Sequence, residues 1–107
     1  MIINTGGTLS SVAKEYGLTP GLTTESMLRE LHIVAGEAIL TTLEYASVDS
    51  ANIFPEDWAK LAQLISEKRD RFDGIVVIHG TDTLAYTSSM LSFMLRNIRI
   101  PVVITGS

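Results

Sequence analysis

The strongest hydrophobic pattern in the chain is an unbroken apolar run over residues 75–78, followed by the polar turn His79-Gly80-Thr81-Asp82-Thr83. A continuous apolar run between turn-forming residues is typical of a strand buried on both faces, as in parallel sheets. After the turn, apolar residues predict a helix over residues 84–95. Strand, turn and helix make half of a βαβ unit, and open α/β sheets bind ligands beyond the carboxyl ends of their strands. The turn is therefore predicted to lie at a ligand site.

The remaining hydrophobic segments predict three more strands and two more helices. The strands cover residues 1–4, 38–46 and 100–104, and a short helix with a threonine N-cap covers residues 23–31. A longer helix begins at Pro55, because proline suits the first helical position, and it is broken at Asp73-Gly74. The helix over 84–95 is apolar nearly all round, which predicts burial against the sheet. Residues 9–22 contain Gly17, Pro20 and Gly21 without clean periodicity, so we expect a mobile loop or lid.

The order of these elements, β-loop-α-β-α-β-α-β, predicts an α/β fold. We expect a parallel sheet of Rossmann-like or flavodoxin-like type, flanked by helices and joined by right-handed crossovers. With 107 residues, the chain has enough material for one domain. The first strand is very short, and residues 105–107 stop where a strand should lead into its next element. We therefore expect residues 1–107 to be an incomplete N-terminal α/β domain of a longer protein.

Composition excludes several classes of function. The net charge of −4 and the absence of a basic cluster argue against a nucleic-acid partner. No cysteine is present, so disulfides, thiol chemistry and cysteine-based metal sites are excluded. The two histidines, His32 and His79, are too few and too scattered to predict a metal site. No apolar run reaches the length of a membrane span and no secretion signal is recognisable, so the default expectation is a cytoplasmic protein without a membrane partner.

Hydroxyl and acidic residues follow all four predicted strands. In a parallel sheet these strand ends share one edge, so the residues could line a single crevice: Thr5 and Thr8; Ser47, Asp49 and Ser50; Thr81, Asp82 and Thr83; Thr105 and Ser107. The segment Thr5-Gly6-Gly7-Thr8 is compatible with a close backbone approach to a ligand. The chain has neither a G-x-G-x-x-G nor a G-K-[ST] phosphate motif, and it has no G-x-S-x-G elbow.

The residues of the turn after the third strand have two interpretations each. Thr81 could be a nucleophile, but an alcohol needs a base near neutral pH, and Asp82 alone is a poor one. Thr81 and Asp82 could instead cap the following helix. No lysine in the chain is well placed to activate Thr81, so a catalytic Thr81 predicts an activating residue beyond Ser107. His79 could be a general base or a hydrogen-bonded structural residue that closes the strand.

Three motifs in order resemble the signatures of bacterial-type L-asparaginases: Thr5-Gly6-Gly7-Thr8-Leu9, Asp49-Ser50 and His79-Gly80-Thr81-Asp82-Thr83. The segment over residues 85–97 resembles the cytoplasmic, type I branch of that family. The resemblance covers essentially the whole chain. It implies the N-terminal domain of a two-domain protein, whose C-terminal domain completes the active site across a subunit interface.

The resemblance also implies a reaction and a set of site residues. The family hydrolyses L-asparagine, and often L-glutamine more weakly, to the acid and ammonia through an acyl-enzyme, without a cofactor. Thr8 would be the primary nucleophile, and Thr81 the second catalytic threonine in a relay with a later lysine. Asp82 would hold the substrate α-amino group and Ser50 the α-carboxylate, with Asp49 and Gly80 completing the substrate site. A homo-oligomer, dimer or tetramer, is implied for the full-length protein.

The chain departs from the family at the tyrosine of the lid. Many relatives have a tyrosine after a glycine there, as partner of the first threonine, whereas this chain has Leu18 after Gly17 and Tyr16 before it. Tyr16 is accordingly either that catalytic partner or a packing residue. The alternative to an enzyme is a non-catalytic domain that binds an amino acid in the same crevice.

Overall fold

The fold is seen in a computed structural model, which describes residues 1–6, 11–14, 17–20, 29, 36, 38–45 and 52–106. Within these residues the strands are β1 (Ile2–Asn4), β2 (Ser11–Lys14), β3 (Gly17–Pro20), β4 (Thr42–Glu44), β5 (Ile75–His79) and β6 (Val102–Gly106). The helices are α1 (Pro55–Lys68) and α2 (Leu84–Met94), and a short 3-10 helix, Arg69–Arg71, extends α1.

Four of these strands form one sheet in the order β4-β1-β5-β6, and every neighbouring pair is parallel. Ile3, in the middle of β1, pairs with Leu43 on one side and Val77 on the other. Counted along the chain, the four strands lie in the order 2-1-3-4, which is the beginning of the flavodoxin-like order. The predicted parallel α/β sheet is confirmed. The direction of strand addition reverses between β1 and β5, which is where such sheets bind ligands.

The hydrophobic core lies between the sheet and the two helices. Its buried members come from β1, α1, β5 and α2: Ile3, Leu61, Ala62, Ile65, Ile75, Val77 and Leu91. Ile3, Ile65 and Val77 are completely buried. Such alternation of strand and helix contributions is expected when helices cover a parallel sheet. The core therefore fixes the strands whose carboxyl ends carry the candidate site.

Helix α1 begins as the sequence predicts. Pro55 occupies the first turn, and the backbone N–H of Phe54 donates to Oδ2 of Asp57 at 2.9 Å. That bond satisfies a backbone donor at the start of the helix, while the carboxylates of Glu56 and Asp57 complement its positive end. The helix buries Leu61, Ala62 and Ile65, whose spacing places them on one face.

The predicted loop over residues 9–22 is wrong where the structure describes it. β2 and β3 form an antiparallel pair in which Ser11 lies opposite Pro20 and Lys14 opposite Gly17. Gly17 and Pro20 stand at the two ends of β3, where a missing side chain or a missing N–H costs little. A hairpin of this kind is held by backbone pairing and needs no hydrophobic periodicity, which is why the sequence pattern did not reveal it.

Burial of the helix over residues 84–95 was also overestimated. Only Thr87 and Leu91 of α2 are buried, whereas Phe93 is 77% and Tyr86 65% exposed. Within the described residues, α2 packs against α1 and β6, and its buried Thr87 also contacts His79 of β5. An apolar helix is buried only on the sides where other elements meet it. The apolar composition of this helix therefore did not indicate which of its side chains are covered.

The predicted strand bounds need smaller corrections. The strand expected over 38–46 is β4, only Thr42–Glu44, because residues 38–41 are not paired as strand and residue 46 is not described. The strand expected over 100–104 is shifted to Val102–Gly106, since Pro101 has no N–H to donate. β5 extends one residue further than expected, to His79. The predicted helix over 23–31 falls outside the described residues except for Arg29, which is helical.

The position of Ile65 predicts its contribution to stability. Replacement by alanine (Ile65→Ala) should lower the free energy of unfolding by about 2–5 kcal/mol, because it leaves a cavity in a fully buried position. Lys60→Ala, on the exposed side of the same helix, should change it by less than about 0.5 kcal/mol. Urea denaturation followed by the fluorescence of Trp58, the chain's one tryptophan, measures both. Equal effects of the two substitutions would contradict this packing.

Candidate functional site

The carboxyl ends of β1 and β5 are joined by Thr5. Its backbone N–H and its Oγ1–H both donate to the carbonyl oxygen of Ile78, each at 2.9 Å. Thr5 itself is buried. The loop that leaves β1 therefore starts from a fixed point beside the end of β5. Thr8, the predicted nucleophile, follows three positions later and lies outside the described residues.

Asn4 shapes the first residues of that loop. Its side-chain oxygen accepts the N–H of Gly6 at 3.1 Å, which closes an Asx turn. Its amide nitrogen donates to Oε2 of Glu44 at 3.1 Å and so connects the loop to β4. Gly6 has a φ of 110°, a conformation that side chains with a Cβ rarely adopt. The direction of the Thr5-Gly6 segment is thus set by one side chain and one glycine.

The turn after β5 divides into a buried and an exposed half. His79 and Gly80 are buried, whereas Thr81 and Asp82 are exposed. Helix α2 begins at Leu84, and the residue in its N-cap position is Thr83. Thr81 and Asp82 therefore precede the N-cap position. Their side chains stand at the edge of the sheet, before the positive end of the helix dipole.

His79 is a hydrogen-bonded member of the core. The imidazole is 1% exposed, its Nδ1 lies 2.7 Å from the carbonyl oxygen of Gly80, and its Nε2 lies 3.0 Å from Oγ1 of Thr87. Oγ1 of Thr87 also accepts the indole N–H of Trp58 at 2.9 Å. These contacts confirm the structural interpretation of His79. They join β5, α2 and α1 through polar atoms directly beneath the turn.

A small cavity remains beside this group of side chains. It measures about 10 Å³ and is lined by Thr5, Tyr45, Ile53, Asp57, Trp58, Leu61, His79 and Thr87. Burial raises the pKa of the Tyr45 hydroxyl above its usual value, and the nearby Asp57 carboxylate raises it further. A space of that size holds about one water molecule. An amino-acid ligand would therefore lie outside it, over the exposed half of the turn.

Gly106, at the end of β6, brings a third strand close to the turn. It pairs with His79, and a Cβ at this position would lie 3.1 Å from the His79 carbonyl oxygen and 3.3 Å from Cγ2 of Thr81. Both distances are shorter than ordinary van der Waals contacts. A larger residue at this position would crowd both the end of β5 and the Thr81 side chain.

The structure brings together part of the predicted site. Gly80, Thr81 and Asp82 lie on one turn at the carboxyl edge of the sheet, beside Thr5. Four predicted residues, Thr8, Tyr16, Asp49 and Ser50, lie outside the described residues. The carboxyl ends of β1 and β4 lie at the same edge of the sheet as that of β5, because both strands are in parallel register with the sheet.

Four residues at this edge were not identified from the sequence as part of the site: Asn4, Trp58, Thr87 and Gly106. Two features of the sequence could have indicated residues of this group. Thr87 is a polar residue on the otherwise apolar face of a helix that packs on the sheet, and Asn4 precedes a glycine pair at a strand end. The partners of each residue are distant in the chain, so their contacts could not be inferred from local pattern.

Two further observations limit the chemistry of the described residues. No three histidine, aspartate or glutamate side chains among them are grouped in a way that could hold a metal ion. In the same part of the chain, no helix is long and apolar enough to cross a membrane.

Comparison with protein families gives one model that matches the whole chain, residues 1–107: Asparaginase, N-terminal. Among curated proteins, the chain is 45% identical to the L-asparaginase of Thermococcus kodakarensis over 108 residues, which cover 100% of this chain and 33% of that protein. It is 40% identical over 109 residues to L-asparaginase 1 of Escherichia coli, covering 96% of this chain and 32% of that protein. The chain thus spans about a third of these relatives.

Solved structures agree with the sequence comparison. The thermostable L-asparaginase from Thermococcus kodakarensis superposes with a TM-score of 0.83, covering 99% of this chain and 33% of the other. The probable cytoplasmic L-asparaginase from Campylobacter jejuni superposes with a TM-score of 0.74 at 28% identity, covering 98% of this chain and 33% of the other. The likeness therefore holds for the fold as well as for the motifs.

The close approach of Gly106 predicts the effect of adding one methyl group. Gly106→Ala should lower the free energy of unfolding by about 1–3 kcal/mol, because the crowded His79 oxygen belongs to the backbone of a paired strand and yields less easily than a flexible side chain. Gly74→Ala is a matched control, since its Cβ would lie 3.4 Å from Cγ of Pro101, an ordinary contact. Chemical denaturation of both variants measures the difference. A Gly106→Ala variant no less stable than Gly74→Ala would disprove the crowding.

Proposed function

The chain belongs to the asparaginase family through its N-terminal domain, and on that premise we propose that the protein carrying it hydrolyses L-asparagine to L-aspartate and ammonia. The activity is assigned to the full-length protein, because residues 1–107 span about a third of the asparaginase they match. L-Glutamine, which has the same side-chain amide on a longer chain, is the expected weaker substrate.

One observation carries this proposal more than any other. The loop that leads to Thr8 and the turn that carries Thr81 and Asp82 start from neighbouring strands, joined by the bonds from Thr5 to Ile78. These strands flank the point at which the sheet reverses direction, where α/β sheets bind ligands. The two threonines of the family motifs are thereby assigned to the two walls of one crevice.

In the proposed reaction, Oγ of Thr8 attacks the carbon of the substrate side-chain amide. The C–N bond then breaks, ammonia leaves with a proton, and an aspartyl ester of Thr8 remains. Water attacks that ester, the C–O bond to Thr8 breaks, and L-aspartate is released as Thr8 regains its proton. An alcohol needs a base for the first step. We assign this proton transfer to Thr81, acting with a lysine that lies beyond Ser107.

Substrate recognition is assigned to the remaining motif residues. The carboxylate of Asp82 matches the α-ammonium group of the substrate, and its exposure leaves it accessible to a ligand. Ser50, with Asp49, is proposed to bind the α-carboxylate, and Gly80 to line the site. The N-terminus of α2, directly after Thr83, favours the anionic parts of substrate and transition state.

The rest of the proposed assembly lies outside this chain. Because the activating lysine is expected beyond Ser107, residues 1–107 alone should not turn over substrate. We propose that the full-length protein is a homo-oligomer, dimer or tetramer, in which a C-terminal domain completes each site. Tyr16 is proposed as the lid residue that contacts Thr8. No cofactor is required for this hydrolysis, and the proposed location is the cytoplasm, in keeping with the name of the Campylobacter jejuni relative.

The two threonines provide the main test of the reaction. In the full-length protein, Thr8→Ala and Thr81→Ala should each lower the rate of ammonia release from L-asparagine by at least about a thousandfold, because each removes a group that acts in bond making. Ammonia production by purified protein at saturating L-asparagine measures the loss. Ser92→Ala, which removes an exposed hydroxyl on α2, should retain the wild-type rate.

Other outcomes would each reject part of this proposal. Unchanged rates in both threonine variants would reject the proposed nucleophile and its partner. Tight binding of L-asparagine by calorimetry, without ammonia release by the complete protein, would favour a non-catalytic amino-acid-binding domain. Saturable hydrolysis by residues 1–107 alone would show that no later lysine is needed.

The charge of Asp82 predicts a second effect. Asp82→Asn in the full-length protein should lower kcat/KM for L-asparagine by about 10- to 100-fold, since a hydrogen bond to a charged group contributes about 1.5–3 kcal/mol. Asp73→Asn removes an equal charge at the opposite end of β5 and should leave kcat/KM unchanged. Steady-state kinetics of the two variants provide the comparison. Equal kcat/KM values for Asp82→Asn and wild type would exclude Asp82 from substrate binding.

A further inference from the structure

The polar group beneath the turn forms a continuous chain of hydrogen bonds. It runs from the indole N–H of Trp58 to Oγ1 of Thr87 at 2.9 Å, from Thr87 to Nε2 of His79 at 3.0 Å, and from Nδ1 of His79 to the carbonyl oxygen of Gly80 at 2.7 Å. His79 and Thr87 are buried to 1% and 0% exposure. None of these side chains reaches the exposed half of the turn, so none is a catalytic residue.

The donor–acceptor direction of this hydrogen-bond chain follows from the groups at its two ends. An indole nitrogen can only donate, and a carbonyl oxygen can only accept. The Gly80 carbonyl therefore requires the proton of the imidazole on Nδ1. In that tautomer Nε2 accepts, and the Thr87 hydroxyl donates to it while accepting from Trp58. Every donor in this hydrogen-bond chain then has one acceptor.

We propose that Trp58, Thr87 and His79 are positioning residues that fix the Gly80–Thr81 peptide, and thereby the proposed catalytic Thr81, through the Nδ1–H tautomer of His79. This inference rests on the proposed function for its kinetic consequence. The peptide is trans, so its N–H points away from its carbonyl. Holding the Gly80 carbonyl toward the core directs the Thr81 N–H toward the crevice and limits rotation of the turn.

The hydrogen-bond chain also connects three elements of the fold. His79 is the last residue of β5, Thr87 lies one helical turn inside α2, and Trp58 lies in the first turns of α1. Without Thr87, Nε2 of the buried His79 would lose its partner, at a cost that makes assembly of β5 without α2 unfavourable. Packing of α1 on α2 is thereby coupled to the orientation of Thr81.

Conservative variants of the full-length protein test the kinetic role. Thr87→Val keeps the shape of the side chain but removes its hydroxyl. It should lower kcat for L-asparagine about 10-fold, which is the loss expected for one hydrogen bond. KM should change by less than about twofold. Thr87→Ser restores the hydroxyl and should recover most of kcat. His79→Asn places an amide nitrogen near the position of Nδ1 and should retain more activity than His79→Gln, which mimics Nε2. All rates are measured well below the unfolding temperature of each variant.

Nuclear magnetic resonance of histidine labelled with nitrogen-15 tests the tautomer independently of activity. The resonance lost in His79→Asn should report a proton on Nδ1 and none on Nε2. A wild-type kcat in Thr87→Val, or an Nε2–H tautomer, would overturn the proposal. If the wild-type protein releases no ammonia, the proposed function fails, and the tautomer measurement alone decides whether the hydrogen-bond chain exists.

Discussion

The two hydrogen bonds that Thr5 donates to the Ile78 carbonyl join β1 to β5 where the order of the sheet reverses. β1 has only three residues, yet it lies between β4 and β5 and pairs with both. Everything at the carboxyl edge depends on that short strand being held in register. The loop after β1 and the turn after β5 leave the sheet from adjacent points, so a ligand between them can contact residues far apart in the chain.

The same edge contains all the buried polar side chains identified among the described residues: Asn4, Thr5, His79 and Thr87. Each has a hydrogen-bond partner, and within the described part of the chain no buried side-chain polar atom is left without one. Buried polar groups add specificity of geometry only when they are fully satisfied. The other buried residues identified in the described part of the chain are apolar and hold the elements together by packing. The polar atoms are concentrated where the backbone must be placed most accurately.

Much of this arrangement could be predicted, and the failures have physical causes. β5 and α1 were predictable because a buried parallel strand and an amphipathic helix have strong local signals. The site edge was predictable because parallel strands end on one side. The hairpin of β2 and β3 was not, because backbone pairing leaves little trace in hydrophobicity. The partners of Thr87 and Asn4 were not, because hydrogen bonds across 29 and 40 positions are tertiary contacts.

The turn at residues 79–83 meets two requirements, accessibility and precise positioning, with different residues. A catalytic side chain must be accessible, while catalysis depends on holding it within a fraction of an ångström of the reacting atom. Here the first half of the turn, His79 and Gly80, is buried, and His79 is hydrogen-bonded to Thr87 of α2, which in turn accepts from Trp58 of α1. The second half, Thr81 and Asp82, is exposed. Since adjacent residues share a planar peptide, rigidity of the buried half is transmitted directly to the exposed half. For the proposed catalytic Thr81, accessibility and precision are thus combined within four residues, and the buried His79 contributes the precision.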